Sequence, residues 1–361
     1  MEKKVDICIV GAGPGGMLLA YLLAKKNISV LLLESTSQIA KSFRGEHINE
    51  EGEEILKKYD LYDAVEELGL LKMERLEYWY NGFLTKVIEA DPAVGHLGIH
   101  VPQTHLLQVI LQHAKECPSF SYQLNTRVTS LIQDEAGQYI GVKAKQDGEE
   151  LLVYCHLVVG ADGRYSTVRK KAQIDSEIRK HGFDLLWARI PAPKNWTPSI
   201  KMALVDGMQI SLFTQVNDYV QIGWNIEQGS YSALRKQPFE PFIEKLIQAF
   251  PQLASAVREN ITSWRDFILL DVFSTQSSSW GADGLVLIGD AVHTMTPTGA
   301  YGLNCAMKDA DVLVELIEQQ DTLKKLDFLT CGNMRKKEIE QLQMMQIEKE
   351  QGFLSQFEVM T

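Results

Sequence analysis

The sequence predicts an α/β fold in two parts, a parallel sheet covered by helices and a second, strand-rich unit. Three short apolar runs, at residues 5–10, 157–160 and 285–288, each stop at a turn rich in Gly or Asp and precede a helical segment. Buried strands that alternate with helices are typical of a parallel sheet. The segment from about 176 to 264 instead holds a series of strands separated by turns, which predicts the second unit.

Composition narrows the function classes. The chain has 361 residues, enough for about two domains, and a net charge of −11 without a basic block. This balance argues against nucleic acid or an anionic membrane surface as a partner, and no run approaches the ~20 apolar residues of a membrane helix. The five cysteines include no Cys-x-x-Cys pair. We therefore expect reduced thiols and a cytoplasmic location.

A glycine-rich turn follows the first strand, and an apolar helix follows the turn. Glu34 closes the next buried strand, at the distance expected between such a turn and a ribose-binding carboxylate. Glycines here permit a tight turn, backbone access to a pyrophosphate and close packing of the helix on the strand. The motif predicts a dinucleotide site without separating FAD from NAD. Its glycines are Gly11, Gly13, Gly15 and Gly16.

Two later turns have the same placement. Asp162-Gly163 follows the strand at 157–160, and Gly289-Asp290 follows the strand at 285–288. Asp162 or Ser166 also suits the N-cap of the next helix. Asp290 is placed to accept hydrogen bonds from a sugar or ribityl hydroxyl. After it comes a loop with Pro297, Gly299 and Gly302, and then a helix from residue 303.

The strand-rich parts have clear turn signals. Asn81-Gly82 predicts a hairpin over residues 76–90, and polar turns predict an antiparallel meander over 128–155. Within 220–226, apolar and polar residues alternate, so one face of that sheet packs on a core or roofs a cavity. Three aromatic residues of this unit are interpreted either as core residues or as substrate contacts: Trp187, Phe213 and Trp224.

In this order and spacing, the three turn motifs resemble the class A flavoprotein monooxygenases, the family of p-hydroxybenzoate hydroxylase. The resemblance implies a glutathione-reductase-like FAD-binding Rossmann domain with an inserted β-sheet substrate domain and C-terminal helices. We expect the FAD-binding domain at residues 1–75, 96–175 and 265–320, and the substrate domain at 76–95 and 176–264. The C-terminal helices are expected at 321–361. A long amphipathic helix at 334–354 is interpreted most simply as a solvated cover, with a dimer contact as the alternative.

The resemblance also implies the reaction. NAD(P)H reduces FAD, oxygen adds at the flavin C4a position as a hydroperoxide, and one oxygen atom passes to a small aromatic or polyketide-like substrate, by hydroxylation or epoxidation. No metal is required. A monomer and a homodimer are both consistent with the sequence. The alternatives are a flavin-dependent halogenase, a geranylgeranyl-reductase-like enzyme, or a non-catalytic FAD-binding protein.

Site residues follow from the resemblance by position. Glu34 is expected at the adenosine ribose, Arg44 at the diphosphate and Asp290 at the ribityl and diphosphate region. No catalytic acid or base is assignable, and His47 and His293 are more readily interpreted as structural. Residues expected next to the flavin are His47, Pro297, Gly299 and Asn304. Further cofactor-binding residues are Gln103, Asp162, Gly163, Gly289, Ala300 and Gly302.

Overall fold

The computed structural model describes residues 1–39, 47–319 and 328–360. Arg44, expected at the diphosphate, lies outside the described residues. Within the described ranges the strands form five sheets. None of the helices in these ranges combines the length and the apolar character that a bilayer span needs.

A six-stranded sheet brings the three predicted buried strands side by side. Residue 160 pairs with Val10 on one side and with Leu287 on the other. All strands of this sheet are parallel except the first one of the spatial order. That order is Gly281–Ala282, Leu285–Leu287, Leu157–Gly160, Ile7–Val10, Val30–Leu33 and Phe120–Gln123.

Alternate residues of these strands enter two different cores. On one face, Ile7 and Ile9 pack with the three helices Pro14–Lys25, Gln103–Lys115 and Tyr301–Glu318. On the other face, side chains such as Cys8 pack with a four-stranded sheet and with Ile339 of the C-terminal helix. The result is a three-layered unit with the six-stranded sheet in its middle.

The four-stranded sheet contains the predicted meander. Its antiparallel strands are Thr126–Gln133, Tyr139–Gln146 and Glu149–Tyr154. Glu2–Lys4, which was not predicted as a strand, pairs in parallel with the last of them. The chain start is therefore part of this layer.

A seven-stranded sheet forms the second unit. The predicted hairpin is confirmed, with Tyr80 paired to Phe83 across the turn. Ile268–Leu270, from the region expected in the FAD-binding domain, also pairs in this sheet. Its order is Ile268–Leu270, Phe183–Pro191, Tyr219–Glu227, Met208–Gln215, Ser199–Val205, Arg75–Tyr80 and Phe83–Glu89.

The remaining elements connect or cover these sheets. Short strands form a three-stranded and a two-stranded sheet: His47–Ile48, Ile99–His100 and Leu71–Lys72, then Ser176–Lys180 with Phe273–Ser277. The other α-helices are Glu50–Lys58, Tyr62–Leu68, Thr167–Lys171, Tyr231–Leu234, Glu240–Ala249, Ala254–Asn260 and Phe328–Gln351.

The seven-stranded sheet has a covered face and an open face. The helices Glu240–Ala249 and Ala254–Asn260 cover one face, which buries Trp224 completely. The ring of Trp224 stacks on Phe242 with centroids 3.9 Å apart. This position contradicts the interpretation of Trp224 as a substrate contact and supports the alternative, that it is a core residue. Trp187 and Phe213 lie on the opposite, open face, with ring centroids 5.9 Å apart.

Replacing Trp224 by Ala is expected to lower the free energy of unfolding by about 3–5 kcal/mol, because truncating a large core side chain leaves a cavity. Phe83→Ala is the control, since Phe83 is 74% exposed; its effect should stay within ~0.5 kcal/mol. Urea unfolding followed by circular dichroism measures both. A Trp224→Ala protein of wild-type stability with weakened aromatic-ligand binding would contradict the core assignment.

Candidate functional site

The three sequence motifs, at Gly11–Gly16, Asp162-Gly163 and Gly289-Asp290, meet at one edge of the six-stranded sheet, which we call the cofactor edge. Parallel strands present their carboxyl ends at the same edge, and the strands before Gly11, Asp162 and Gly289 are direct neighbours. A Cβ added at Gly11 would lie 2.4 Å from the carbonyl oxygen of Ala161. The first two motifs are therefore in van der Waals contact, and the first needs glycine at that point.

Two glycines of the first turn differ in their surroundings. A Cβ at Gly16 would lie 2.1 Å from the carbonyl oxygen of Gly11, so the turn and the helix cannot pack this closely with any side chain there. A Cβ at Gly13 would meet no protein atom within 4 Å. Protein packing explains the glycine at position 16, whereas the space beside Gly13 is open to a ligand.

Glu34 links the second strand to the glycine turn. Its Oε2 accepts a hydrogen bond from the Ala12 N–H at 3.0 Å, and its Oε1 accepts one from the Thr36 N–H at 2.9 Å. Burial alone raises the pKa of Glu34, but these bonds and those from the Thr36 and Ser35 hydroxyls hold it below its ordinary value. A half-buried, ionised carboxylate beside the turn is suited to accepting bonds from ribose hydroxyls.

Asp162 caps the helix that follows it. Its carboxylate accepts hydrogen bonds from the Thr167 N–H at 2.6 Å, from the Val168 N–H at 3.1 Å and from the Ser166 hydroxyl. Burial raises its pKa above the ordinary value despite these bonds. Both predicted capping residues take part: Ser166 is the N-cap, since its hydroxyl accepts from the Arg169 N–H at 3.0 Å, and Asp162 accepts from the first two N–H groups of the helix.

Arg169 joins the second motif to the third. It is buried, and its Nη1 donates to the Ala291 carbonyl oxygen at 2.5 Å. Asp290 lies in the same short 3₁₀ turn, Gly289–Ala291. Its Oδ1 would lie 3.8 Å from a Cβ at Gly302. Asp290 thus faces the glycine loop that leads into the next helix.

A buried charge network stands behind this turn. Asp309, which is fully buried, accepts hydrogen bonds from the Gly289 N–H at 2.8 Å and from His293 Nε2 at 2.6 Å. Arg335 of the C-terminal helix donates to its other oxygen at 2.9 Å and pairs with Glu338. Buried charges are stable only when paired and hydrogen-bonded. The turn Gly289–Ala291 is therefore anchored to the C-terminal helix through Asp309. His293 bonds to the same carboxylate, which is the structural role expected for it.

The loop before the helix Tyr301–Glu318 has an unusual backbone. Gly299 and Ala300 both have positive φ, 75° and 56°. Asn304 holds the loop in place, because its Nδ2 donates to the carbonyl oxygens of Ala300 at 3.0 Å and His47 at 3.2 Å. Its Oδ1 accepts from the Asn49 N–H. The loop and the segment at His47 are thus one structural unit.

Two neighbouring histidines lie between this loop and the open face. The rings of His47 and His100 are 5.2 Å apart, and the His100 ring is 5.9 Å from that of Phe213. Burial lowers the pKa of His47 to about 4, and burial together with His47 lowers that of His100 to about 3. Both imidazoles are neutral at pH 7. His100 Nδ1 donates to the Thr214 carbonyl oxygen at 2.7 Å, so its Nε2, which has no hydrogen-bond partner among the described residues, is an acceptor. Gln103, three residues after His100, begins the helix Gln103–Lys115.

The comparison with known proteins bears directly on this geometry. The chain matches the family described as "FAD binding domain" over residues 4–320. It belongs to this FAD-binding family. A 6-methylpretetramide 4-monooxygenase from Streptomyces rimosus is 32% identical over 97% of this chain and 84% of its own length. The resemblance inferred from the motifs is confirmed, and the chain is an FAD-dependent monooxygenase.

Solved structures confirm the predicted fold. PqsL from Pseudomonas aeruginosa, in complex with 2-aminobenzoylacetate, superposes with a TM-score of 0.83 at 20% identity, over 99% of this chain and 100% of PqsL. The 2-methyl-3-hydroxypyridine-5-carboxylic acid oxygenase gives 0.80 at 18% identity, over 100% and 94% of the two chains. At this level of identity the likeness concerns the fold.

The residues at the sheet edge fit FAD. The open space at Gly13 admits a diphosphate to the backbone, the ionised Glu34 suits the adenosine ribose, and Asp290 faces the glycine loop. Gly299 and Ala300 give the loop a tight left-handed turn, and a Cβ at Gly299 would lie 2.7 Å from the Tyr301 ring, so the loop needs glycine at that point. These fits rest on this chain's own geometry.

Several residues of the site were missed by the sequence analysis. The C-terminal helix was interpreted as a solvated cover, yet one face of it is buried against the cofactor edge, with Arg335, Ile339, Gln343 and Gln346. The four lie 4, 4 and 3 residues apart, the spacing of one helix face. The spacing can be read from the sequence. Gln and Arg are also common on solvent-exposed helix faces, however, so the residue types did not indicate that this face is buried.

The two glycines of the first turn give a matched test. Gly13→Ala should leave the stability of the apoprotein within ~1 kcal/mol of wild type, but weaken FAD binding, because the new methyl group occupies the open space. Gly16→Ala should destabilise the apoprotein itself by about 1–3 kcal/mol, because the helix must move away. Chemical unfolding and FAD fluorescence quenching measure the two effects. Equal loss of apoprotein stability in both variants would contradict this division of roles.

Asp309→Asn tests the buried network and its pH dependence. Burial raises the pKa of Asp309, but His293 and Arg335 outweigh it and hold the pKa below its ordinary value. Between the folded and unfolded pKa values of Asp309, the unfolded chain binds a proton at this carboxyl and the folded protein does not. The carboxylate therefore stabilises the fold fully at pH 7, and this stabilisation is lost as the pH falls below ~4. The variant should lose about 3–5 kcal/mol at pH 7 and less at low pH.

Urea unfolding at pH 7 and below pH 4 checks this prediction. Asp147→Asn, at an exposed turn with positive φ, is the control for the same chemical change. A loss for Asp309→Asn that is identical at both pH values would show that the carboxylate charge is not what stabilises the network.

Proposed function

We propose that this monooxygenase uses NAD(P)H and O2 to hydroxylate or epoxidise a flat, multi-ring aromatic compound of polyketide type. The observation that carries the proposal is the open face of the seven-stranded sheet. Trp187 and Phe213 lie there as neighbouring aromatic walls, and Phe213 contacts His100 next to the loop held by Asn304. The Streptomyces rimosus relative is a 6-methylpretetramide 4-monooxygenase, and that activity supports the same substrate class.

The chain's own residues bind, orient and exclude water. Bound FAD supplies hydride acceptance and oxygen activation. Glu34 and the glycine turn would hold its adenosine end, and Asp290 and the loop from Pro297 to Gly302 would hold its flavin end. His47 and His100 present neutral, buried rings on the substrate side, which keep charge and water away from the reacting atoms.

The setting of the enzyme is proposed on less specific grounds. Cys8, Cys117, Cys155 and Cys305 are unpaired in the described part of the chain, which fits a reducing, cytoplasmic location. We propose a monomer or a homodimer. NADH and NADPH are both candidate reductants.

An oxygen-labelling experiment tests the proposed function. The purified holoenzyme is given NADH or NADPH, ¹⁸O2 and a broad panel of aromatic compounds, both hydroxylated polycycles and aromatic carboxylates. We expect faster nicotinamide oxidation with a polycyclic phenol and one ¹⁸O atom in its product. Bound FAD that neither nicotinamide reduces would instead indicate a flavin-holding protein. A product that requires added halide would indicate a halogenase.

A further inference from the structure

A cavity of about 600 Å³ lies where the open face of the seven-stranded sheet meets the end of the C-terminal helix. This volume is within the ~300–1,000 Å³ of small-molecule sites. From the sheet, Phe183, Gln209, Asn225 and Glu227 line it. Gln209 and Asn225 lie two residues along their strands from Ser211 and Gly223, which are register partners, and Gly223 also pairs with Trp187. These four residues share the open face with Trp187, whereas Phe242, Lys245 and Trp264 line the cavity from the side of the covering helices, so the cavity lies at the end of the sheet.

The C-terminal helix connects this cavity to residues 297–302, the loop expected against the flavin ring, which we call the flavin loop. Glu350 lines the cavity, and its Oε1 accepts hydrogen bonds from the hydroxyls of Thr296 and Thr298, each at 2.7 Å. One turn earlier, the amide of Gln346 donates to the carbonyl oxygens of the same two threonines, at 2.8 and 2.5 Å. These threonines flank Pro297. The helix thus holds both sides of the loop expected against the flavin ring.

Glu350 has a third partner, in the sheet unit. Its Oε2 accepts from His181 Nδ1 at 2.6 Å, and His181 immediately precedes the segment that leads into the strand Phe183–Pro191. Because the carboxylate is half-buried and makes three bonds, it is held ionised, with its pKa below the ordinary value despite burial. The carboxylate of Glu350 therefore contacts the flavin loop and the segment before the sheet, and the same residue lines the cavity.

The charges of the cavity select among aromatic ligands. Glu350 contributes a fixed negative charge to the wall, and the exposed Glu227 adds a second carboxylate. Lys245, at the rim, lies 3.7 Å from the Asp206 carboxylate, and the described residues that line the cavity include no arginine. An aromatic carboxylate would meet like charge with no bidentate partner. A neutral ring system would stack on Phe183 and Phe353 and bond to the two amides.

We propose that this cavity extends the substrate-binding site beyond the open face and that it selects neutral, polyhydroxylated polycyclic aromatics over aromatic carboxylates, an inference that rests on the proposed function. Glu227 is the specificity-determining residue at its exposed edge. Glu350 is a positioning residue, which fixes the flavin loop relative to the bound ring.

Binding to the holoenzyme tests the selection with two probes that differ in one group. Aloe-emodin carries a hydroxymethyl group where rhein carries a carboxylate, on the same dihydroxyanthraquinone. By equilibrium dialysis at pH 7, we expect aloe-emodin to bind at least 10-fold more tightly than rhein. Glu227→Lys should reduce that ratio at least 5-fold. Glu89→Lys, on the exposed edge strand of the same sheet, makes the same change in net charge and should leave the ratio unchanged.

Location is tested by Phe353→Ala, which removes an aromatic wall of the cavity without touching the glycine turn. It should weaken aloe-emodin binding about 10-fold and leave the FAD dissociation constant unchanged.

The positioning role of Glu350 is tested by hydrogen exchange of the holoenzyme. Glu350→Ala should speed exchange at residues 296–304 but not at 11–16. Glu350→Gln, which keeps an oxygen for the two threonine hydroxyls, should restore most of the protection.

The proposal is overturned if rhein binds as tightly as aloe-emodin, if neither probe binds, or if Glu89→Lys acts like Glu227→Lys. Unchanged exchange at residues 296–304 in Glu350→Ala would remove the positioning role. These outcomes are separate from failure of the proposed function, since the ¹⁸O experiment uses a panel that also contains aromatic carboxylates. If only an aromatic carboxylate gave labelled product, the proposed oxygenase activity would be supported and the proposed selectivity for neutral rings would be wrong.

Discussion

The adjacency of three parallel strands is the constraint on which the cofactor edge depends. The strands before Gly11, Asp162 and Gly289 come from distant parts of the chain, yet they are neighbours in one sheet. The strand before Asp162 lies in the middle, so its carboxyl end is about one strand spacing, ~4.8 Å, from each of the other two. The contact between Gly11 and Ala161, and the bond from Arg169 to Ala291, follow from that spacing. The middle strand, Leu157–Gly160, is what keeps the first and third turns close to the second.

This edge is reinforced from behind by buried polar contacts. Asp309 ties the third turn to His293 and Arg335, and Gln346 with Glu350 tie the flavin loop to the same C-terminal helix. Such contacts are costly to bury unless every partner is in place. They make the cofactor edge and the C-terminal helix depend on each other. The helix is therefore part of the site, although its sequence has the composition of a solvated surface.

The two faces of the seven-stranded sheet have different roles. The covered face is a hydrophobic core, in which Trp224 stacks on Phe242. The open face carries Trp187 and Phe213 near the two buried histidines, and it continues into the cavity beside Glu350. Strand alternation alone separates these sets, because successive side chains point to opposite faces. Which face is covered depends on the helices that pack there.

Local patterns in the sequence were enough to predict the α/β class, the glycine turn with Glu34, the turns Asp162-Gly163 and Gly289-Asp290, and the hairpin at Asn81-Gly82. Each is a local signal, since turn geometry and strand periodicity act over a few neighbouring residues. Tertiary structure alone decided that Trp224 is in the core, that Asp309 meets Arg335, and that Glu350 reaches Thr296 and Thr298. Those outcomes depend on how distant elements pack, and a side chain's own neighbours in sequence do not specify its partner across the fold.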